Sequence, residues 1–279
     1  MKNSKKKITF GEWREKRISL FGKGLDEFAC FQAFQIRKAQ MSGNDFFILI
    51  VGYPRCGKST FMKWFSTYVY PKFSVDNIHF QGENFLKSLL KEEKFRVEVQ
   101  DEATIGGLNR GDTTTKLCKN LMAGFDIIGR QNNLIILCTP FFDSIPRKLL
   151  KNRVSAVVLV EKYEEGKLFR NRYYWLTKEN IQECFKKNAD SLNELPKYAS
   201  WTGRFNGKIH PIGFDEKAYD EKKVKERYGF LPNKLIDYKG LRGDPSDNIP
   251  CVKGIGEKSA TDLLATFGSL EKVYTAIHK

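Results

Sequence analysis

The chain has 279 residues, 41% of them hydrophobic, enough for one large domain with a core and a small second one. Its 48 basic and 33 acidic residues give a net charge of +15, which favours a polyanionic partner, either nucleic acid or an anionic membrane surface. No apolar run reaches the roughly 18 residues of a membrane span, and none of the six cysteines (Cys30, Cys56, Cys118, Cys138, Cys184, Cys251) forms a C-x-x-C pair, which argues against membrane insertion, a disulfide framework or a zinc site.

Residues 1–27 read as a basic N-terminal extension, with Lys2, Lys5, Lys6 and Lys7 at its head. No apolar region follows those charges, so the start does not read as a signal peptide and a cytoplasmic location is expected. Residues 11–41 read as mainly helical, with Phe21, Phe28, Phe31, Phe34 and Ile36 as core rather than as a nucleotide platform.

Phe46-Phe47-Ile48-Leu49-Ile50-Val51 is wholly apolar, as a strand buried on both faces requires. It runs into Gly52-Tyr53-Pro54-Arg55-Cys56-Gly57-Lys58-Ser59-Thr60, which fits the phosphate-loop pattern G-x-x-x-x-G-K-[ST] at every fixed position. Helical character resumes at Thr60, so the order is strand, glycine loop, helix. Gly52 and Gly57 permit backbone angles that a Cβ opposes, which lets successive N–H groups cradle phosphate oxygens at a helix N-terminus. In this reading Gly52, Arg55, Gly57, Lys58, Ser59 and Thr60 bind ATP. Lys58 reaches the β- and γ-phosphates, and Ser59 ligates Mg²⁺.

Phe95 to Gln100 reads as a strand ending in Asp101-Glu102, the Walker B pattern. Asp101 is the second group for Mg²⁺, and Glu102 orients and polarises the attacking water. Arg96, Glu98 and Gln100 alternate with apolar residues, which predicts a strand face either partly open or in contact with another subunit. His79, in a short expected strand, reads as structural. Residues 104–116 are Gly- and Thr-rich and aperiodic, a mobile loop that either senses nucleotide, touches DNA or is merely solvated.

Leu134–Thr139 is a further buried strand, and Thr139 at its end is placed to bond the attacking water or the γ-phosphate. Arg130 and Arg153 are the candidates for an arginine that a neighbouring subunit supplies to the developing charge. Ala156–Val160 is a core strand, and Leu168–Trp175 is expected to pair with residues 157–163 as a hairpin through Glu164-Glu165-Gly166. The fold class is therefore α/β, a mostly parallel sheet flanked by helices. The ATP-binding domain is expected over 28–215, a charged connecting helix over 216–227, and a small all-α domain over 228–279.

The layout of glycine loop, Asp-Glu strand and strand ending in a polar residue resembles the additional-strand-catalytic-glutamate class of P-loop ATPases. Gly129-Arg130-Gln131-Asn132-Asn133, Arg147-Lys148-Leu149 and Val157–Val160 resemble its FtsK/HerA-like and viral packaging branch. The resemblance covers roughly residues 40–180. It implies a homo-oligomeric ring, usually a hexamer, that moves or remodels DNA.

The second resemblance is closer and covers roughly residues 222–279. Tyr228-Gly229-Phe230-Leu231-Pro232, Leu241-Arg242-Gly243-Asp244-Pro245-Ser246-Asp247-Asn248-Ile249-Pro250 and Val252-Lys253-Gly254-Ile255-Gly256-Glu257-Lys258-Ser259-Ala260 are similar to the helix-hairpin-helix region of 5′-nucleases, such as the 5′-exonuclease domain of bacterial DNA polymerase I. Two glycines in a tight hairpin expose N–H groups at a helix start, so Lys253, Gly254, Gly256, Lys258 and Ser259 are expected to hold DNA phosphates without reading sequence. The resemblance also implies a K⁺ ion at the hairpin carbonyls, and metal-binding roles for the counterparts of Asp244 and Asp247. Two carboxylates make a poor two-metal site, so no nuclease activity is expected of this chain.

These residues support a DNA-stimulated ATPase motor that grips DNA non-specifically. Two alternatives stand beside it: a nucleotide-gated DNA-binding switch or loader, and a nuclease subunit completed by a partner.

Overall fold

The computed structural model describes residues 8–127, 131–165, 168–189, 191–244 and 249–277. The chain divides into two compact units, Met1–Phe214 and Asp215–Lys279.

The larger unit is built on a sheet whose described strands are β1 (Phe46–Val51), β2 (Ile78–His79), β3 (Val97–Gln100), β4 (Leu134–Thr139), β5 (Ala156–Glu165), β6 (Leu168–Thr177) and β7 (Trp201–Phe205). Their spatial order is β2-β3-β4-β1-β5-β6-β7. The first five in that order are parallel, while β6 and β7 add antiparallel. β1 takes the centre because it is apolar on both faces, with Phe47 to Val51 all buried. β4 lies between β1 and β3, so one strand separates the phosphate loop from Asp101, as the additional-strand resemblance implies.

On one face Phe47, Leu49 and Val51 pack with Phe85 and Leu89 of α4 (Gly82–Leu89), Leu121 and Phe125 of α5 (Lys116–Ile127), Leu149 and Leu150 of α6 (Arg147–Asn152) and Ile181 of α7 (Lys178–Lys186). On the other lies α3 (Lys58–Val69), whose Phe61 and Phe65 meet Tyr173 and Trp175 of β6. Phe61 to Val69 are all buried, because α2 (Glu27–Met41) packs over α3 from outside.

The expected N-terminal extension over 1–27 needs correction. Thr9 caps α1 (Phe10–Phe21) through a capping box with Glu12, and the helix packs on α2 and α3. Trp13 is buried against Phe34 and Tyr68, and the Arg17 guanidinium lies 5.0 Å over the Trp13 ring while its Nε donates to Tyr68 O at 2.8 Å. Burial lowers the Arg17 pKa to about 10, still charged at neutral pH. Residues from Phe10 onward thus belong to the larger unit. Basic character signalled a tail here, but the guanidinium serves the core.

The expected open or intersubunit face on β3 also needs correction. Glu98 is 1% exposed and Gln100 fully buried, each with partners inside the unit. Glu98 accepts from Arg96 at 2.8 Å, Ser88 at 2.8 Å and Asn77 at 3.2 Å, and stands 3.0 Å from His79 Nε2. His79 is structural in that sense.

Trp64 of α3 is fully buried, and its Nε1 donates to the carbonyls of Asn206 and Ile209 at 3.1 Å each. A Cβ on Gly24 would fall 1.9 Å from that indole. Gly24→Ala is therefore expected to destabilise by about 1–3 kcal/mol through overpacking. Calorimetry should show the melting temperature falling by about 2–4 °C per kcal/mol. An unchanged melting temperature would mean that the indole moves aside freely.

In the smaller unit α8 (Glu216–Tyr228), α9 (Leu235–Arg242), α10 (Glu257–Phe267) and α11 (Leu270–Ile277) succeed one another. Tyr238, Leu241, Ala260 and Leu264 form its core, and Tyr228 and Phe230 stack beside Tyr238. The charged helix expected over 216–227 is α8, and it belongs to this unit.

Candidate nucleotide site and hairpin

β1 delivers the chain to Gly52, whose φ is +147° and whose N–H donates to Pro140 O at 3.3 Å. A Cβ at Gly52 would meet Val160 O at 2.2 Å, so only glycine lets the loop run this close to β5. Arg55 is left-handed at φ 63° and exposed. Gly57 is left-handed at φ 101° and starts α3, whose N-terminus has no side-chain cap among the described residues. Its first N–H groups are thus available to an anion.

The Lys58 ammonium folds over the loop and donates to Gly52 O at 2.6 Å and Tyr53 O at 2.9 Å. Ser59 Oγ donates to Asp101 Oδ2 at 3.0 Å, joining the two groups expected to hold Mg²⁺ across β4. A hydroxyl and a carboxylate are hard oxygen donors, and Mg²⁺ fits them. Thr60 follows on α3, half-buried.

Glu102 takes a left-handed turn at φ 59° directly after β3, with its N–H on Asp101 Oδ1 at 3.1 Å. The Asp101 carboxylate meets Ser59, and Glu102 is half-buried. Thr139 pairs with Val51 in register, beside the root of the phosphate loop, and its Oγ1 lies 3.1 Å from Ser144 Oγ.

Of the two arginines, Arg130 lies outside the described residues. Arg153 is not brought to the site. It binds Asp45 at 2.9 Å and stacks 4.8 Å over Phe47, at the start of β1, whereas the phosphate loop follows the end of that strand.

The loop expected to be mobile over 104–116 is fixed in its first half. Gln100 Nε2 donates to Gly106 O at 2.8 Å, Leu108 is fully buried, and a Cβ on Gly82 would sit 1.9 Å from Gly106 O. Ile105 is exposed in that half, and from Arg110 to Lys116 every residue is exposed.

Two contributors carried no sequence signal. Asn171 of β6 donates from Nδ2 to Cys56 O at 2.8 Å and bounds the space beside Gly57, where a Cβ would meet that nitrogen at 2.8 Å. Ser144 joins Thr139 to the Phe141 carbonyl, to which it donates at 2.6 Å. Burial raises the Cys56 thiol pKa, so Cys56 fills space under the loop as a neutral group.

In the smaller unit Gly254 turns at φ 85°, Ile255 N–H donates to Val252 O at 3.0 Å, and Gly256 starts α10 without a side-chain cap among the described residues. Lys253, Gly254, Gly256, Lys258 and Ser259 are all exposed. Asp244 pairs with Lys239 at 2.8 Å, while Asp247 lies outside the described residues.

Residues 230–279 match the family model described as 5′-3′ exonuclease, C-terminal SAM fold. The chain is 55% identical over 75 residues to a DNA polymerase I of Caldicellulosiruptor bescii, covering 26% of this chain and 9% of that protein. It is 52% identical over 68 residues to a 5′-3′ exonuclease of Buchnera aphidicola, covering 24% of this chain and 22% of that one. The chain thus spans under a quarter of the length of these relatives.

Among solved structures, the N-terminal domain of zonular occludens toxin from Neisseria meningitidis matches 63% of this chain and 98% of its own, at 16% identity and a TM-score of 0.41. The flagellar accessory protein FlaH from Methanocaldococcus jannaschii matches 59% of this chain and 83% of its own, at 16% identity and a TM-score of 0.34. At such scores neither adds to what the strand order itself carries.

Proposed function

We propose that the chain is an ATPase that couples nucleotide binding and hydrolysis to DNA held non-specifically by the helix-hairpin-helix unit. The Ser59–Asp101 contact at 3.0 Å carries the nucleotide half, because it joins the phosphate-loop helix to the acid-bearing strand at one point. Gly52 and Gly57 lack the Cβ that would meet Val160 O and Asn171 Nδ2, which lets the loop take its turn, and the uncapped start of α3 supplies positive potential. Lys58 exchanges its two loop carbonyls for phosphate oxygens. Ser59 and Asp101 would hold Mg²⁺, which would supply neutralisation of developing phosphate charge. Glu102 accepts a proton from the attacking water and Thr139 orients it.

The DNA half rests on the exposed 253–259 hairpin, the excess of positive charge, and the likeness to 5′-nuclease proteins over residues 230–279. A K⁺ ion at the hairpin carbonyls belongs to the same reading. Working as a homo-oligomer, of hexameric size in the ring-forming class, would let a neighbour supply the missing arginine. Arg130 and Arg153 are the candidates for that role.

Steady-state ATP hydrolysis with and without duplex DNA, across salt concentrations, tests this. DNA is expected to raise the rate, and Lys253→Gln/Lys258→Gln to abolish most of the stimulation while leaving the basal rate. The salt slope of DNA affinity should fall by about two in that double variant. A basal rate that DNA leaves unchanged would remove the coupling. Displacement of a triplex strand then separates a translocating motor from a nucleotide-gated grip.

A further inference from the structure

The larger unit carries a second basic surface that the nucleotide site does not use. α6 holds Arg147, Lys148 and Lys151 in one short helix with no acidic residue. Between α6 and α7 opens a groove of about 430 Å³ lined by Lys151, Asn152, Gln182, Phe185 and Lys186. Gln182 and Lys186 stand one helical turn apart, on the same side of α7.

Phe185 forms the floor. Phe142 stacks on it at 5.7 Å, the Lys151 ammonium lies 5.6 Å over its ring and the Arg147 guanidinium 6.0 Å. The acids of α7 do not line the groove: Glu183 pairs with Lys187 at 3.0 Å, and Glu179 sits in the first turn. Lys148, Lys151 and Lys186 have no carboxylate partner among the described residues. Two unneutralised ammonium groups, Lys151 and Lys186, line the open groove and repel one another, and that cost is relieved by a bound polyanion.

We infer that the α6–α7 groove binds the phosphodiester backbone of DNA, as a second contact separate from the hairpin of the smaller unit. Lys151 and Lys186 meet phosphate charge, and the Asn152 and Gln182 carboxamides donate to phosphate or sugar oxygens. The Phe185 ring already carries two cations and is half-buried, so it offers no stacking face to a base, and the contact is independent of sequence. A single nucleotide is a poorer fit, since neither a glycine turn nor a helix N-terminus faces the groove. The inference rests on the proposed function only in taking DNA as the polyanion.

The test uses Lys151→Gln/Lys186→Gln in the full chain, with duplex-DNA anisotropy between 50 and 200 mM salt. The slope of log affinity against log salt is expected to fall by about two, with the melting temperature unchanged. Lys253→Gln/Lys258→Gln should lower it by a similar and additive amount. An unchanged slope in the groove variant overturns the inference and leaves the proposed function standing. A parent chain that binds no DNA overturns both. If the groove variant instead loses binding to phosphatidylglycerol–phosphatidylcholine vesicles while its DNA slope holds, the groove belongs to an anionic membrane and the inference fails.

Discussion

Lys58→Ala is expected to lower ATP turnover by at least about a hundredfold, the usual loss when one preorganised group facing developing phosphate charge is removed. The side chain has two roles to lose. Its ammonium closes the loop on the Gly52 and Tyr53 carbonyls, at 2.6 and 2.9 Å, and in the proposed reaction it would exchange them for phosphate oxygens. Alanine removes both, so a fluorescent ATP analogue should bind more weakly as well as turn over slowly.

Glu102→Gln separates these steps. Glutamine keeps the left-handed turn and the N–H bond to Asp101, but it accepts no proton from water. Binding should persist while turnover drops by about 10²–10⁴. If Glu102→Gln turns over at the parent rate, the general base lies elsewhere. If Lys58→Ala does, the loop does not hold a reacting phosphate.

The contrast between these residues and Asn171 shows what a sequence can carry. Lys58 and Ser59 are legible because their geometry is local: a strand, two glycines and a helix start fix them within a few residues. Asp101 was legible by its place at a strand end, and its contact with Ser59 follows from the parallel order of β1, β4 and β3. Asn171 reaches Cys56 O through a hairpin 115 positions away, and nothing in its own stretch marks it. Arg153 stands at the other end of the sheet from its own phosphate loop and pairs with Asp45 there, so as a candidate it would act only at a neighbouring subunit's site.

β3 shows the same limit in its packing. Alternation of polar and apolar residues reports two different faces, but it does not report whether the polar one meets water. Here it meets Asn77 and His79 at β2, Ser88 of α4 and Arg96 just before β3 itself. Likewise the basic residues of α1 hid a helix whose Trp13 and Arg17 are both buried.

Glu98→Ala tests that network and should be among the most damaging substitutions outside the site. The carboxylate is 1% exposed, and its Arg96 partner is 12% exposed. Alanine would take the acceptor from an imidazole, a hydroxyl and an amide and leave the Arg96 guanidinium only the exposed Glu93 at 2.7 Å, and removal of one partner from a buried pair costs about 3–5 kcal/mol. Glu98→Gln should cost less, since an amide oxygen still accepts from Ser88 or Asn77 while the charge opposite Arg96 is lost.

The consequence should reach the site. His79 O accepts from the Asp101 N–H at 2.9 Å, and His79 is held by Glu98, so the network braces the strand end that presents Asp101. Denaturant unfolding should show a lower midpoint for both variants, larger for alanine. Mg²⁺-dependent nucleotide affinity should weaken in the alanine variant while Mg²⁺-independent binding holds. A loss in stability below about 1 kcal/mol would mean that water enters and replaces the carboxylate, which is the behaviour of an open face. A full loss of stability with unchanged Mg²⁺ dependence would confine the network to holding β2, β3 and α4 together.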